Sequence, residues 1–132
     1  MIKGIIIGHG DFARTLLDTA ERILGRQEMV EVISNTNLSC ESLTQMIKEK
    51  LPKNSKEVII FVDLPGGSCA ISCMNLMKEN RELNIICGVN LPILIEFFLL
   101  REKYSVAELI PILIKKGRDN ITQIGGKSGN AG

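Results

Sequence analysis

The sequence is poor in aromatic residues and carries almost no net charge. It contains no Trp, one Tyr and four Phe, and its 16 Lys and Arg residues nearly balance 15 Asp and Glu residues, which leaves a formal charge of +1. A nucleic-acid binder is expected to show a broad basic surface, and a single-strand binder also needs aromatic platforms for base stacking. The composition therefore argues against nucleic acid as a partner.

A long apolar run is missing as well. The most apolar region, residues 83–100, is interrupted by Asn84, Asn90, Pro92 and Glu96, which argues against a membrane span. The first residues lack the basic region, apolar segment and small-residue cleavage site of a secretory signal. We therefore expect a cytoplasmic protein.

Cysteine is present at only four positions, Cys40, Cys69, Cys73 and Cys87. A cytoplasmic chain with a full-sized core does not need disulfide bonds. Cys69 and Cys73 lie four residues apart on a predicted helix, but no second histidine accompanies them, so the spacing of a zinc site is missing. We predict that the cysteines are small buried hydrophobes and that the protein uses neither a metal nor a cofactor.

Apolar β-favouring runs alternate with helical patterns along most of the chain. Strands are predicted at residues 5–7, 29–34, 58–62 and 84–89, with a fifth, short strand at 119–124; helices are predicted at 12–24, 40–51, 69–79, 91–100 and 106–117. This alternation predicts an α/β fold, an open, doubly wound, mostly parallel sheet of four parallel strands plus a C-terminal edge strand, with helices on both faces. We expect one domain over residues 1–124 and a disordered glycine-rich tail over residues 125–132.

The only histidine follows the first strand, between two glycines. Ligands of open α/β sheets bind beyond the carboxyl ends of the strands, which is where His9 falls. Gly8 and Gly10 leave the imidazole uncrowded. The sequence therefore marks His9 as the candidate functional residue, although a lone histidine is more often structural.

A second loop carries matching chemistry after the third strand. It begins at Asp63 and ends in Gly66, Gly67 and Ser68 at a predicted helix start, where Ser68 can act as the N-cap. If the first and third strands are neighbours, the Asp63 carboxylate can bind one imidazole nitrogen, fix the tautomer and stabilise the cation formed on attack. Helix starts supply free N–H groups for an anion such as phosphate. Together these parts predict a phosphohistidine site, although a strand-end Asp can serve only as a cap and a Gly-Gly-Ser turn can be only a turn.

Four stretches, in order, resemble one known family. Ile-Ile-Gly-His-Gly-Asp-Phe-Ala at residues 6–13 is similar to the opening of the mannose-family enzyme IIA domain of the bacterial sugar phosphotransferase system (PTS). Residues 62–68 resemble its Asp-x-x-Gly-Gly-Ser loop, residues 88–92 its Gly-Val-Asn-x-Pro stretch, and Gly117-Arg118 falls near the end as in the family. Each stretch alone is weak evidence, whereas the ordered set is specific.

The resemblance implies a function and a set of residue roles. His9 would be phosphorylated transiently at Nε2, Asp63 would bind the other nitrogen, and Gly67 and Ser68, with Gly10 and Gly66 beside them, would form the phosphoryl pocket. The domain would accept its phosphoryl group from the histidine-containing phosphocarrier protein and pass it to the IIB component of a sugar permease. The membrane would be reached only through that permease complex. The resemblance also implies a homodimer in which the last strand crosses to the partner.

The sequence departs from the family pattern at three places. Gly8 stands where Ser or Thr is frequent, Pro65 where an aromatic residue is common, and Cys69-Ala70 where Pro-Phe is common. These differences leave the proposed chemistry intact and bear on the sugar and the IIB partner.

Two other functions fit parts of the sequence. A phosphorylation-dependent regulatory module would use the same fold and histidine without passing the phosphoryl group on. A small dinucleotide-binding domain would explain Gly8-x-Gly10-x-x-Ala13, but that fingerprint needs an acidic residue at the end of the second strand, where Ser34 and Asn35 stand instead.

Overall fold

The chain folds around a four-stranded, all-parallel sheet in the order β2-β1-β3-β4. A computed structural model describes residues 1–79 and 82–126. The strands are β1 (Lys3–Gly8), β2 (Val30–Ser34), β3 (Val58–Val62) and β4 (Asn84–Cys87), and the helices are α1 (Phe12–Leu24), α2 (Cys40–Lys50), α3 (Ser68–Glu79), α4 (Leu91–Leu100) and α5 (Val106–Asp119), with a 3₁₀ turn at Ser55–Glu57. The α/β class and the four parallel strands predicted from sequence are confirmed.

Helices cover both faces of the sheet, because alternate residues of each central strand point to opposite sides. In β1, Ile5 and Ile7 pack toward α2 and α3, whereas Ile6 packs toward α1, α4 and α5. All three isoleucines are fully buried. The continuous apolar runs of β1 and β3 are thus those of strands covered on both sides.

The apolar helix α4 is covered largely by its own domain. It packs between α1 and α5, and Ile93, Leu94 and Phe97 are buried. Phe97 meets Phe61 edge-on, with ring centroids 5.0 Å apart, and reaches Gly4, where an added Cβ would lie 2.9 Å from its ring. The absence of a side chain at Gly4 therefore makes room for this helix.

Most helix ends follow the predicted signals. Ser39 caps α2 by accepting a hydrogen bond from the Ser42 N–H, and Ser105 forms a reciprocal capping box with Glu108 at the start of α5. Gly25 ends α1, as predicted. Ser68 is different: it is the first residue of α3 rather than its N-cap.

Two predicted strands are shorter than expected. Residue 29 lies outside β2 because Met29 has a φ of +52°, and β4 ends at Cys87 because Gly88 turns the chain with a φ of +78°. Positive φ values are incompatible with the extended backbone of a strand.

The predicted C-terminal strand at residues 119–124 is wrong for the single chain. Helix α5 continues past Gly117 to Asp119, and residues 121–124 are exposed and lie outside regular structure. A strand needs a neighbour for its backbone hydrogen bonds, and in the described part of this chain the segment has none. Of the predicted tail, residues 127–132 lie outside the described residues.

The prediction for the cysteines is half right. Cys69 and Cys73 are buried, whereas Cys40 and Cys87 are exposed because each lies at an end of its element. Over residues 1–79 and 82–126, we find no helix with the length and apolar character that crossing a bilayer requires.

Candidate functional site

His9 and Asp63 meet at the carboxyl edge of the sheet. Strands β1 and β3 are neighbours, with Ile7 opposite Val62, so the residues that follow each strand emerge side by side. His9 Nδ1 lies 2.7 Å from Asp63 Oδ2. The pairing inferred from the sequence is therefore present in the structure.

Three donors hold the Asp63 carboxylate. Its Oδ2 accepts the His9 backbone N–H at 2.9 Å as well as the imidazole, and its Oδ1 accepts the Leu64 N–H at 2.9 Å. Partial burial pushes the pKa of Asp63 upward, but the hydrogen bonds from His9 and Leu64 outweigh it and leave that pKa below its ordinary value. Asp63 is thus held as a carboxylate, and its oxygen can accept only a protonated Nδ1.

The other ring nitrogen of His9 faces outward. The imidazole is 47% exposed, whereas the Asp63 side chain is only 11% exposed. Gly67 lies against the outer edge of the ring, since a Cβ added there would be 3.0 Å from Cε1 and 3.6 Å from Nε2. With Nδ1 protonated, Nε2 has a free lone pair directed toward this uncrowded surface.

The other predicted pocket residues lie in, or directly after, the two loops that carry His9 and Gly67. Ser68 begins α3, whose first backbone N–H groups have no acceptor within the helix. Gly10 is exposed and adopts a φ of +55°, which a residue with a side chain would rarely take. Gly66 is exposed, and a Cβ added there would meet nothing within 4 Å.

Asn35 is a site residue that the sequence alone did not identify as functional. It follows β2, and its Nδ2 donates a hydrogen bond to Ser68 Oγ at 3.1 Å. Its backbone N–H donates to the Gly8 carbonyl at 3.1 Å, which fixes the loop beside β1. The available signal was its position at the carboxyl end of a third neighbouring strand, where β2 lies next to β1.

Cys69 is a second residue near His9 that the sequence did not identify as functional. Its thiol, the His9 imidazole and the Asp63 carboxylate each offer a ligand atom within 4.8 Å of the others. Burial, followed by the negative charge of Asp63, raises the pKa of the Cys69 thiol, so the thiol is protonated. From the sequence, Cys69 is predicted to be a buried hydrophobe on a helix. Its proximity to His9 is not visible in the sequence, because 60 residues separate the two positions.

The local packing explains why a glycine stands at position 8. A Cβ at this position would lie 2.9 Å from the Phe12 ring and 3.3 Å from Asp63 Oδ2. The missing side chain therefore lets Phe12 pack closely beside the catalytic candidates.

Fold and site together define a class of protein: an α/β domain with an acid-supported, outward-facing imidazole at the carboxyl edge of its parallel sheet, as suits group transfer. Comparison with known proteins gives the family. Residues 3–114 match the family model EIIA-man, described as the PTS system fructose IIA component. The chain belongs to this PTS IIA family of the mannose, fructose and sorbose type, whose members take part in sugar phosphotransfer.

Individual relatives agree with this membership. The chain is 33% identical to the mannose-specific EIIAB component of Escherichia coli K12 over 96% of its own length, but spans only 41% of that relative. It is 32% identical to the fructose-specific EIIA component of Bacillus subtilis, covering 83% of this chain and 77% of that protein. The EIIA crystal structure from Streptococcus agalactiae matches with a TM-score of 0.86 at 28% identity, covering 93% of this chain and 97% of that one.

Proposed function

We propose that His9 is phosphorylated at Nε2 and relays the phosphoryl group from the histidine-containing phosphocarrier protein to the IIB component of a sugar permease. The observation that carries this proposal is the 2.7 Å contact between His9 Nδ1 and Asp63 Oδ2. It keeps the proton on Nδ1 and leaves Nε2 as the nucleophile on the exposed side of the ring. The protein would thus act as a phosphotransferase with a covalent intermediate.

The transfer step requires no further co-reactant. The Nε2 lone pair forms a bond to phosphorus while the P–N bond of the donor phosphohistidine breaks in line, and the bond electrons return to the donor imidazole. The proton on Nδ1 stays in place. The His9 ring becomes cationic as the bond forms, and the Asp63 carboxylate beside it stabilises that charge.

The phosphoryl oxygens have suitable partners nearby. The N-terminus of α3 offers backbone N–H groups and the positive end of the helix dipole. The Ser68 hydroxyl accepts its hydrogen bond from Asn35, so its own proton is available to a phosphoryl oxygen. Gly10, Gly66 and Gly67 add no side chains that would hinder a docking protein.

The proposed assembly is a homodimer that works in the cytoplasm and meets the membrane only through the permease. Support for the dimer comes from the C-terminal segment, where Ile121 and Ile124 are 78% and 98% exposed. Strand β4 lies at an edge of the described sheet. An unpaired edge and an exposed apolar segment are suited to strand addition between two copies.

Reconstitution tests the relay directly. The protein is incubated with phosphoenolpyruvate, enzyme I and the phosphocarrier protein, and intact-mass spectrometry follows an acid-labile phosphoryl group. We expect one phosphoryl group per chain, and none when the phosphocarrier protein is omitted. Absence of labelling in the complete mixture would refute the proposal. Labelling without onward transfer to any IIB component encoded beside it would favour the regulatory module instead.

A further inference from the structure

The Cys69 thiol lies beside the His9–Asp63 pair, and the relay has no task for it. Cys69 is fully buried and is the second residue of α3. Phosphoryl transfer through His9 needs a nucleophile, an orienting carboxylate and anion donors, all of which other residues supply. The position of the thiol beside His9 and Asp63 is therefore not explained by phosphoryl transfer.

We infer that His9, Asp63 and Cys69 form a binding site for Zn²⁺. Their ligand atoms, one per residue, lie within 4.8 Å of one another. A tetrahedral zinc ion with nitrogen, oxygen and sulfur ligands separates them by about 3.3–3.6 Å. The three ligand atoms are therefore close enough for side-chain adjustment to bring them onto one ion.

The donor set selects the kind of cation. An imidazole, a carboxylate and a thiolate suit zinc, whereas Mg²⁺ and Ca²⁺ bind sets made of oxygen ligands. Three protein ligands leave a fourth position for water, and the 47% exposure of the His9 ring provides the route of entry. Charge also balances, because the carboxylate and the thiolate together neutralise the ion.

Metal binding and phosphorylation exclude each other, a consequence that rests on the proposed function. Binding releases the Cys69 thiol proton to solvent and uses one imidazole lone pair. If the ion takes Nε2, the nucleophile is occupied. If it takes Nδ1, the ring proton moves to Nε2, which then has no lone pair to attack phosphorus. Zn²⁺ is thus a competitive inhibitor of the relay on either nitrogen.

Binding is measured without any phosphotransfer partner, so its outcome is independent of the proposed function. The background protein is the Cys40→Ser, Cys87→Ser variant, which lacks the two exposed thiols. Co²⁺ is the spectroscopic probe. We expect thiolate-to-cobalt charge-transfer absorption that Zn²⁺ abolishes, and loss of that absorption with about a hundredfold or greater weakening of Zn²⁺ affinity on adding Cys69→Ser. A signal that survives the loss of Cys69 would overturn the inference.

A second measurement does not depend on the folding of a core variant. His9 is the only histidine, so its ring nitrogens need no assignment by mutagenesis in a ¹⁵N spectrum of the background protein. Zn²⁺ should shift them at stoichiometric concentration, whereas Mg²⁺ should not. Unchanged ring nitrogens would contradict the site even if Cys69→Ser fails to fold.

Competition is then tested with pre-phosphorylated phosphocarrier protein as the donor. Zn²⁺ should block labelling of the background protein and a chelator should restore it, while the Cys69→Ser variant should be labelled at the same Zn²⁺ concentration. Zinc binding without inhibition would refute the competition alone. Failure of all labelling, with or without metal, would instead refute the proposed relay and leave the binding result standing.

Discussion

At the residue scale, one oxygen of Asp63 performs two tasks. Oδ2 accepts both the backbone N–H and the imidazole Nδ1–H of His9, while Oδ1 accepts the Leu64 N–H. The loop backbone and the ring are therefore fixed against the same carboxylate. This sharing explains how the carboxylate can both orient the His9 imidazole and keep its own charge.

We predict that Asp63→Asn slows phosphoryl transfer by on the order of tenfold to a thousandfold. An amide has one acceptor oxygen, so it cannot serve both His9 and Leu64, and it no longer offers a negative charge to the ring. Rapid-quench measurement of labelling gives the rate. Asp18→Asn, an exposed carboxylate on α1, is the matched control. A rate equal to that of the control would reduce Asp63 to a structural cap.

Asn35 is predicted to position the Ser68 hydroxyl. Asn35→Ala should slow transfer about fivefold, the effect of losing one hydrogen bond of about 1 kcal/mol. Asn35→Asp should slow it more, because a carboxylate draws the Ser68 proton away from the phosphoryl group and adds negative charge.

A double-mutant cycle checks this role through labelling rates. In a Ser68→Ala background, Asn35→Ala should cause no further loss, since the hydroxyl that it positions is gone. Independent, additive losses from the two changes would show that Asn35 acts elsewhere.

The site was predictable from the sequence to different degrees. His9 and Asp63 each follow a buried strand directly. Because the carboxyl ends of parallel strands lie at the same edge of a sheet, their pairing could be predicted from the sequence. Asn35 and Cys69 gave no such signal. A neutral amide after β2 and a thiol inside an apolar helix pattern both have common structural uses, and only the folded geometry brings them to the imidazole.

At the scale of elements, helices α4 and α5 pack closely because Gly117 has no side chain. A Cβ added there would lie 2.5 Å from Ile93 Cδ1, and Ile93 is buried. The sequence pattern predicts that the last helix ends at this glycine. Its packing role instead keeps it inside the helix, two residues before the end.

We expect Gly117→Ala to destabilise the fold. Overpacking costs about 1–3 kcal/mol, and the better helix propensity of Ala returns at most about 1 kcal/mol. The net loss of unfolding free energy, up to about 2 kcal/mol, is measured by urea denaturation. Ala107→Gly, on the exposed side of the same helix, reports the propensity difference alone. Stabilisation by Gly117→Ala would contradict the close packing.

The segment at 119–124 marks the limit of local sequence patterns. Strand-favouring residues in this segment predict a strand, but a strand forms only where the edge of a sheet is available to pair with it. Capping signals were more reliable, as at Ser39 and Ser105, because their hydrogen bonds are local. Pairing between distant segments, or between chains, is not encoded in any short window.

At the scale of the whole molecule, the exposed Ile121 and Ile124 predict self-association through the C-terminal segment. We expect light scattering at micromolar concentration to give twice the chain mass of 14.6 kDa. Truncation after Asn120, which retains the whole of α5, should yield the monomer. A full-length protein at the chain mass would refute the dimer, and a truncated protein that stays dimeric would locate the interface elsewhere.

The identity of the phosphorylated nitrogen tests the proposed relay through His9 directly. His9 is the only histidine, so heteronuclear ³¹P and ¹⁵N spectra of the labelled protein report on one ring without ambiguity. Because Asp63 holds Nδ1, we predict phosphorus coupled to Nε2 and a proton retained on Nδ1. Phosphorus on Nδ1 would contradict the orienting role of Asp63, and labelling that persists in His9→Ala would contradict phosphorylation of His9.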